Sequence, residues 1–364
     1  MAALLPLFVS DTLGMRLLKA QPNGPGIWKK EFDLKGHNGY VQSLVFSPDG
    51  KLLAAGDSSG AVRLWEVATG KERALLKAQM GNIYSVAFSP SGEMLATGNL
   101  GNRESIVRLW KVSNGAEVAA FKGPQFSVPS VAFSPNGKLL AAAVSSGSFG
   151  AVYPAYTVKA WDVSTEKEVF HCDGFSGRGL VLFLPDNRTL AVPRPNGMVG
   201  LWDVTTGKKV REFQTLSDSV SGLALKGKGL VVRSGFQTTA MAQGEGLGPD
   251  KKTQTSADPK AILLYNLESG KLQTTIQSGE TVSLQSLTAD GKILLAAGYE
   301  EPIASPQTTL RWWDLSTGKQ LGSFRGLTGG WCSALSLSPD AQRLAIGSLT
   351  DLTLWTWEKA AADK

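Results

Sequence analysis

The chain is built from short apolar segments of strand length, alternating or fully apolar, that are cut at close intervals by Gly, Pro, Asn and Asp. One such segment ends in the same turn again and again: Leu44-Val45-Phe46-Ser47-Pro48-Asp49-Gly50, Val86-Ala87-Phe88-Ser89-Pro90-Ser91-Gly92 and Val131-Ala132-Phe133-Ser134-Pro135-Asn136-Gly137. Later copies run Phe183-Leu184-Pro185-Asp186-Asn187, Leu287-Thr288-Ala289-Asp290-Gly291 and Leu337-Ser338-Pro339-Asp340, and only Lys226-Gly227-Lys228-Gly229 has lost the pattern. Proline presets φ at the first central turn position and Asp, Asn or Gly tolerates the later ones, so each copy predicts a hairpin between a strand a and a strand b. An apolar strand b follows, such as Lys51-Leu52-Leu53-Ala54-Ala55. Then come a strand c such as Ala61-Val62-Arg63-Leu64-Trp65, a glycine turn, and a strand d such as Glu72 to Leu76.

Strand c closes on an aromatic anchor seven times, at Trp65, Trp110, Trp161, Trp202, Tyr265, Trp313 and Trp357. The steps are 45, 51, 41, 63, 48 and 44 residues, and a repeat of about 40–45 residues is the period of a four-stranded propeller blade. One small sheet cannot bury both its faces, so the repeats must pack around an axis. The expected fold is all-β, a seven-bladed propeller of four-stranded antiparallel blades.

This order of turns resembles the WD-repeat family over roughly residues 25–357, and the family's dipeptide stands at Trp161-Asp162, Trp202-Asp203 and Trp313-Asp314. The family's Gly-His pair occurs once, at Gly36-His37. Its usual partner is an Asp six residues before the anchor, where this chain has Ser59, Glu104, Ala155, Asn196, Pro259, Gln307 and Asp351. On that alignment no repeat has the full hydrogen-bonded set, and the blades are expected to be held mainly by apolar packing. Many bacterial members of the family look like this.

The last repeat lacks an outer strand, and Trp28 to Gly36 matches the outer-strand ending Ala120-Phe121-Lys122-Gly123 without the three strands that should precede it. An N-terminal strand completing the last blade would remove an open edge and close the ring. The expected division is an extension over 1–24 with the pattern of a degenerate partial blade, then the propeller over 25–357 and a polar tail over 358–364.

Hydrophobic residues make up 42% of the 364 and charged residues 19%, a globular composition. No apolar run approaches the length of a membrane span, and the apolar start from Met1 to Val9 lacks the flanks of a signal peptide. The cysteines, Cys172 and Cys332, fall in the fourth and seventh repeats, too far apart around a ring to bridge, which fits a reducing, cytoplasmic setting. The net charge of +6 is carried by scattered pairs such as Lys29 with Lys30, Lys208 with Lys209, and Lys251 with Lys252. Nucleic-acid binders gather such charge into a stripe, so a nucleic-acid platform is a lesser alternative.

Catalytic patterns match in letters and fail in context. Gly56-Asp57-Ser58-Ser59-Gly60 fits a nucleophile elbow, but it lies between strands b and c with no helix after it, and His37 and His171 fall in other turns. Gly222 to Lys228 has phosphate-loop spacing, yet Gly229 replaces the hydroxyl residue and no helix follows. Two histidines and two distant cysteines cannot assemble a zinc site of the usual kind. The expectation is no catalysis, no cofactor and no metal. The alternative is a sensory or enzymatic propeller with a ligand or metal at the axial channel.

The repeat's irregularities are not scattered. Extra residues fall between strands b and c, at Gly98 to Ser105, Val144 to Tyr156, Ser234 to Lys260 and Tyr299 to Gln307. In an up-and-down blade these loops share a face with the segments that enter strand a, and repeat proteins commonly bind on the face that carries their insertions. The candidate partner-binding residues are therefore Tyr40, Tyr84, Phe126, Arg178 and Trp331 near the strand-a starts, and Arg103, Tyr153, Tyr156 and Phe236 in the insertions. Exposed aromatics and Arg are the types that anchor protein interfaces. The sequence predicts a monomeric scaffold for a protein or peptide partner, acting away from membranes.

Overall fold

The computed structural model describes residues 26–77, 81–100, 106–122, 127–145, 156–175, 179–216, 220–234, 261–278, 281–288, 291–299, 308–327, 332–348 and 351–359. They form seven four-stranded antiparallel blades and, among the described residues, no α-helix. The predicted extension over 1–24 lies outside them.

The first blade comprises Val41–Phe46, Leu52–Asp57, Ala61–Glu66 and Glu72–Lys77. The second is Asn82–Phe88, Met94–Leu100, Ile106–Lys111 and Glu117–Lys122. The third is Ser127–Phe133, Leu139–Ser145, Tyr156–Asp162 and Glu168–Phe175. In the fourth, a two-residue strand a, Leu182–Phe183, precedes Thr189–Pro193, Met198–Asp203 and Lys208–Gln214. The fifth is Val220–Lys226, Gly229–Ser234, Ala261–Asn266 and Leu272–Gln277. The sixth is Thr281–Leu287, Ile293–Tyr299, Thr308–Asp314 and Gln320–Leu327. Cys332–Leu337, Arg343–Ser348 and Leu352–Lys359 make three strands of the seventh. Its fourth is Gly26–Asp33, paired antiparallel with Leu352–Lys359.

The blades pack face to face, which explains why strand b is apolar throughout rather than alternating: all six residues of Leu52–Asp57 are buried. Seven apolar clusters each join two consecutive blades, and one of them joins the seventh blade to the first through Leu34, Leu44, Phe46, Trp65, Ala334 and Leu354. The ring is closed. Small buried residues such as Ala54, Ala96, Ala141 and Ala296 follow the leucines along strand b, the size variation a tapered wedge needs.

Register corrects one anchor. Trp65, Trp110, Trp161, Trp202, Tyr265 and Trp313 each stand opposite a leucine of strand b. In the seventh blade the residue opposite Leu344 is Trp355, not Trp357. Residues two apart in a strand share a face, so both tryptophans satisfy the sequence pattern and only pairing separates them. Trp357 instead meets Trp28 of the closing strand, with ring centroids 5.2 Å apart.

Polar bonds also link blades, beside the apolar packing expected to do most of the work. The buried Ser43, Ser85 and Ser130 hydroxyls accept the amides of Val86, Val131 and Val181 in the following blade. Strand a is the innermost strand, and these serines cover its otherwise unpaired edge. The equivalent residues further on are Leu180, Gly222, Leu284 and Ala334, which have no hydroxyl.

Candidate interaction face

Strand a begins opposite the end of strand b: Val41 faces Asp57, Asn82 faces Leu100, Ser127 faces Ser145, Val220 faces Ser234 and Thr281 faces Tyr299. The chain therefore leaves strand b and enters strand a at one rim. The insertions depart from this rim, after Leu100, Ser145, Ser234 and Tyr299. Their predicted limits are slightly wide, since Gly98–Leu100, Val144 and Ser145 pair within strand b.

The opposite rim is different in kind. Its Ser-Pro turns are held by side-chain bonds, as when Ser47, Ser89, Ser134 and Ser338 accept the amides of Leu52, Met94, Leu139 and Arg343. Neighbouring turns also touch: a Cβ on Gly50, Gly92 or Gly137 would lie 3.6, 3.6 or 3.4 Å from the proline of the preceding blade. Asn187 Oδ1 accepts the Asn136 amide at 2.7 Å, which continues the chain of contacts. One face is an interlocked floor of turns, and the other carries the variable connections.

Within the insertion-bearing rim the structure assembles a cluster that the sequence alignment missed. His37 Nδ1 lies 2.6 Å from Asp57 Oδ2, and both side chains are buried. Asp57 Oδ1 accepts the Ser59 hydroxyl and amide and the Ala61 amide. The His37 ring sits 5.0 Å from that of Trp65. Asp57 stands eight residues before the anchor rather than six, so the expectation that no repeat has the hydrogen-bonded set is corrected for the first blade: the loop between strands b and c bends so that the earlier Asp reaches the histidine. Burial by itself raises the Asp57 pKa, but hydrogen bonds from His37, Ser59 and Ala61 outweigh it and hold the carboxyl below its usual range.

The same cluster disposes of the nucleophile pattern. His37 does come to the Gly56–Gly60 segment, against the expectation that it belongs to another turn, yet Asp57 is the hub and His37 bonds it directly. Ser58 Oγ accepts the Tyr40 amide at 2.9 Å. A triad needs the histidine between serine and acid, which this arrangement lacks. The phosphate-loop match is a β-hairpin, with Val220–Lys226 and Gly229–Ser234 paired across Gly227 and Lys228. Among the described residues no three His, Cys, Asp or Glu side chains come together as a metal site.

The predicted partner-binding residues divide three ways. Tyr40 is 52% exposed at the rim. Tyr84 is half-buried and sits in a bulge of strand a between Ile83 and Ser85. Inner strands of five other blades are irregular at the same place, so these residues are re-aimed together. Tyr156 is corrected: it opens strand c, is 8% exposed, and packs with Phe175 and Val181 between the third and fourth blades. It paired with the strand rather than the loop because Ser145 and Phe175 flank it on both sides. Arg103, Phe126, Tyr153, Arg178, Phe236 and Trp331 lie outside the described residues. Sequence reasoning also passed over Arg233, buried at the end of strand b in the fifth blade, where its Nη2 donates to Ser221 O at 2.6 Å.

Comparison with known proteins gives the repeats their name. The family model of the WD domain, G-beta repeat, matches residues 28–66, 70–111 and 115–149. Three WD repeats therefore stand in the first part of the chain. Each matched unit starts in the outer strand of one blade and runs into the next blade, so the sequence repeat is offset from the structural blade by one strand. That offset is why an N-terminal strand is left to complete the last blade. Single WD repeats account for the relatives. The chain is 68% identical over 34 residues to a WD repeat-containing protein of Nostoc, 9% of this chain and 2% of that one. Identity is 53% over 38 residues to the small ribosomal subunit protein RACK1 of Glycine max, 10% of this chain and 12% of that one. It is 49% over 39 residues to human apoptotic protease-activating factor 1, 11% of this chain and 3% of that one. The chain thus spans a small fraction of each relative's length. No helix among the described residues is long and apolar enough to cross a membrane.

Proposed function

We propose that this WD-repeat protein is a non-catalytic scaffold that holds a protein or peptide partner on the face carrying its insertions. The observation that supports this reading is the contrast between the two rims: four insertions leave from one of them, while the other is a floor of interlocked turns. A rigid floor with variable loops above it is the usual division of labour in a binding platform. The WD-repeat family is one of protein-interaction scaffolds, and a relative named as a small ribosomal subunit protein agrees with a role inside an assembly.

Affinity capture tests the face directly. The intact chain is compared with one whose segment 234–260 is cut to a short turn, with one in which Tyr40, Tyr153 and Trp331 are alanine, and with one altered at Asp49 and Asn136 on the opposite rim. Partners lost in the first two variants and kept in the third support the proposal. Partners lost only in the third place binding on the floor of turns and overturn it.

A further inference from the structure

The outer edges of the blades are not alike in charge. Six outer strands contain charged residues: Lys29, Lys30, Glu31 and Asp33 in the closing strand, Glu72, Arg73 and Lys77 in the first blade, and further charges in the second, third, fourth and sixth. The fifth does not. It reads Leu272-Gln273-Thr274-Thr275-Ile276-Gln277, and among the described residues only one of its edges is used, in pairing with Ala261–Asn266. An outer strand presents a row of unpaired backbone donors and acceptors, and charge is the common device that keeps another chain from pairing with it. Here that device is missing, and the residues are rich in types that favour strands.

From this we infer that the outer strand of the fifth blade pairs edge to edge with the same strand of a second copy of this chain, joining two blades into one eight-stranded sheet around a two-fold axis. The strand suits itself. An antiparallel two-fold centred on Thr275 sets that threonine opposite its own copy, a favourable cross-strand pair, and carries the two Lys271 side chains to opposite ends. The same operation on the fourth-blade strand Lys208–Gln214 would bring Arg211 against Arg211 at its centre. Leu272, Gln273, Thr275 and Gln277 are exposed, Thr274 is half-buried, and Ile276 is buried in the core with the sixth blade. Outward-facing groups are therefore free to pair without disturbing the core. The perimeter of a ring is convex, so two copies meeting there touch over little more than the strands. Contact of that size falls below the roughly 1,200 Å² of a stable interface, so the dimer is weak and depends on concentration. It replaces the monomer expected from sequence. Each copy carries a net +6, so association should strengthen as salt screens that repulsion.

Sedimentation of the full chain decides it, run from about 1 to 300 μM at low and moderate salt, the range in which small interfaces associate. A monomer–dimer equilibrium that tightens with salt is expected. Thr275→Lys and, separately, Gln273→Lys put a charge on the exposed side of the edge and should raise the dissociation constant at least tenfold, with melting temperatures unchanged as a check that both variants fold. Val210→Lys, on the already charged fourth edge, should leave the equilibrium as it is. A wild type that stays monomeric throughout, or a dimer that survives both fifth-blade substitutions, would overturn the inference.

Discussion

Asp57 shows how one residue's surroundings set a property of the whole chain. Its folded pKa lies below the usual carboxylate value, so its contribution to stability is present above the unfolded pKa and is lost as pH falls through the folded one. Asp162, held at about 2 by Ser164 and Thr165, and Asp203, held down by Thr205, lose theirs in the same acid range. Stability measured by denaturant should therefore drop between about pH 5 and pH 2. Asp57→Asn should flatten only part of that slope and cost about 1–3 kcal/mol at neutral pH, because His37 and the amides of Ser59 and Ala61 lose a charged acceptor. An unchanged acid slope in that variant would mean the pair does not couple to folding. Glu166 makes a smaller case. It holds φ at 60° in the turn between strands c and d, where Gly70, Gly115, Gly207, Gly270 and Gly318 stand in the other blades. Its side chain is exposed, so Glu166→Gly relieves left-handed strain and should raise stability by about 0.5–1 kcal/mol in thermal unfolding.

At the scale of elements, the closing strand is the most consequential. Gly26–Asp33 covers the last open edge, buries Trp28, and carries ion pairs from Lys29 to Glu358 and from Glu31 to Arg343. Phe32 packs on the first blade, where a Cβ on Gly70 would lie 2.6 Å from its ring. Deleting residues 1–34 should lower the melting temperature by many degrees, and deleting 1–20 should lower it little. Circular dichroism melts of the two truncations give the answer, and equal stability would show that closure does not depend on this strand. Its role was legible from Trp28, Phe32 and the missing outer strand of the last repeat. The choice of Trp355 over Trp357 as anchor was not, since strand periodicity treats them alike.

Across the whole molecule the ring is uneven. Serine hydroxyls accept a following-blade amide from the first to the second, the second to the third and the third to the fourth blade, while the fourth to the seventh blades have Leu180, Gly222, Leu284 and Ala334 at that position and the seventh reaches the first through Ser333 Oγ, which donates to Val41 O. The three units matched by the family model lie where the inner-strand serine is present. Hydrogen exchange should accordingly find the amides of Val86, Val131 and Val181 among the slowest, and those of the fifth and sixth inner strands faster by the population of local opening. Uniform protection around the ring would remove the serine bonds as the cause.

Seven copies of a strand–turn–strand pattern were enough to determine blade number, strand order, the closing strand and the rim from which insertions leave, because each follows from chain order and the two-residue period of a strand. What the sequence could not assign are contacts between residues close in space whose spacing departs from the repeat. Asp57 reaches His37 from two residues away from the family's position. Tyr156 falls on the buried side of strand c although it borders an insertion, and Ser43 bonds a neighbouring blade rather than its own. Each depends on how a loop bends or how two sheets meet, and those are settled only when the ring is closed and all seven wedges share one axis.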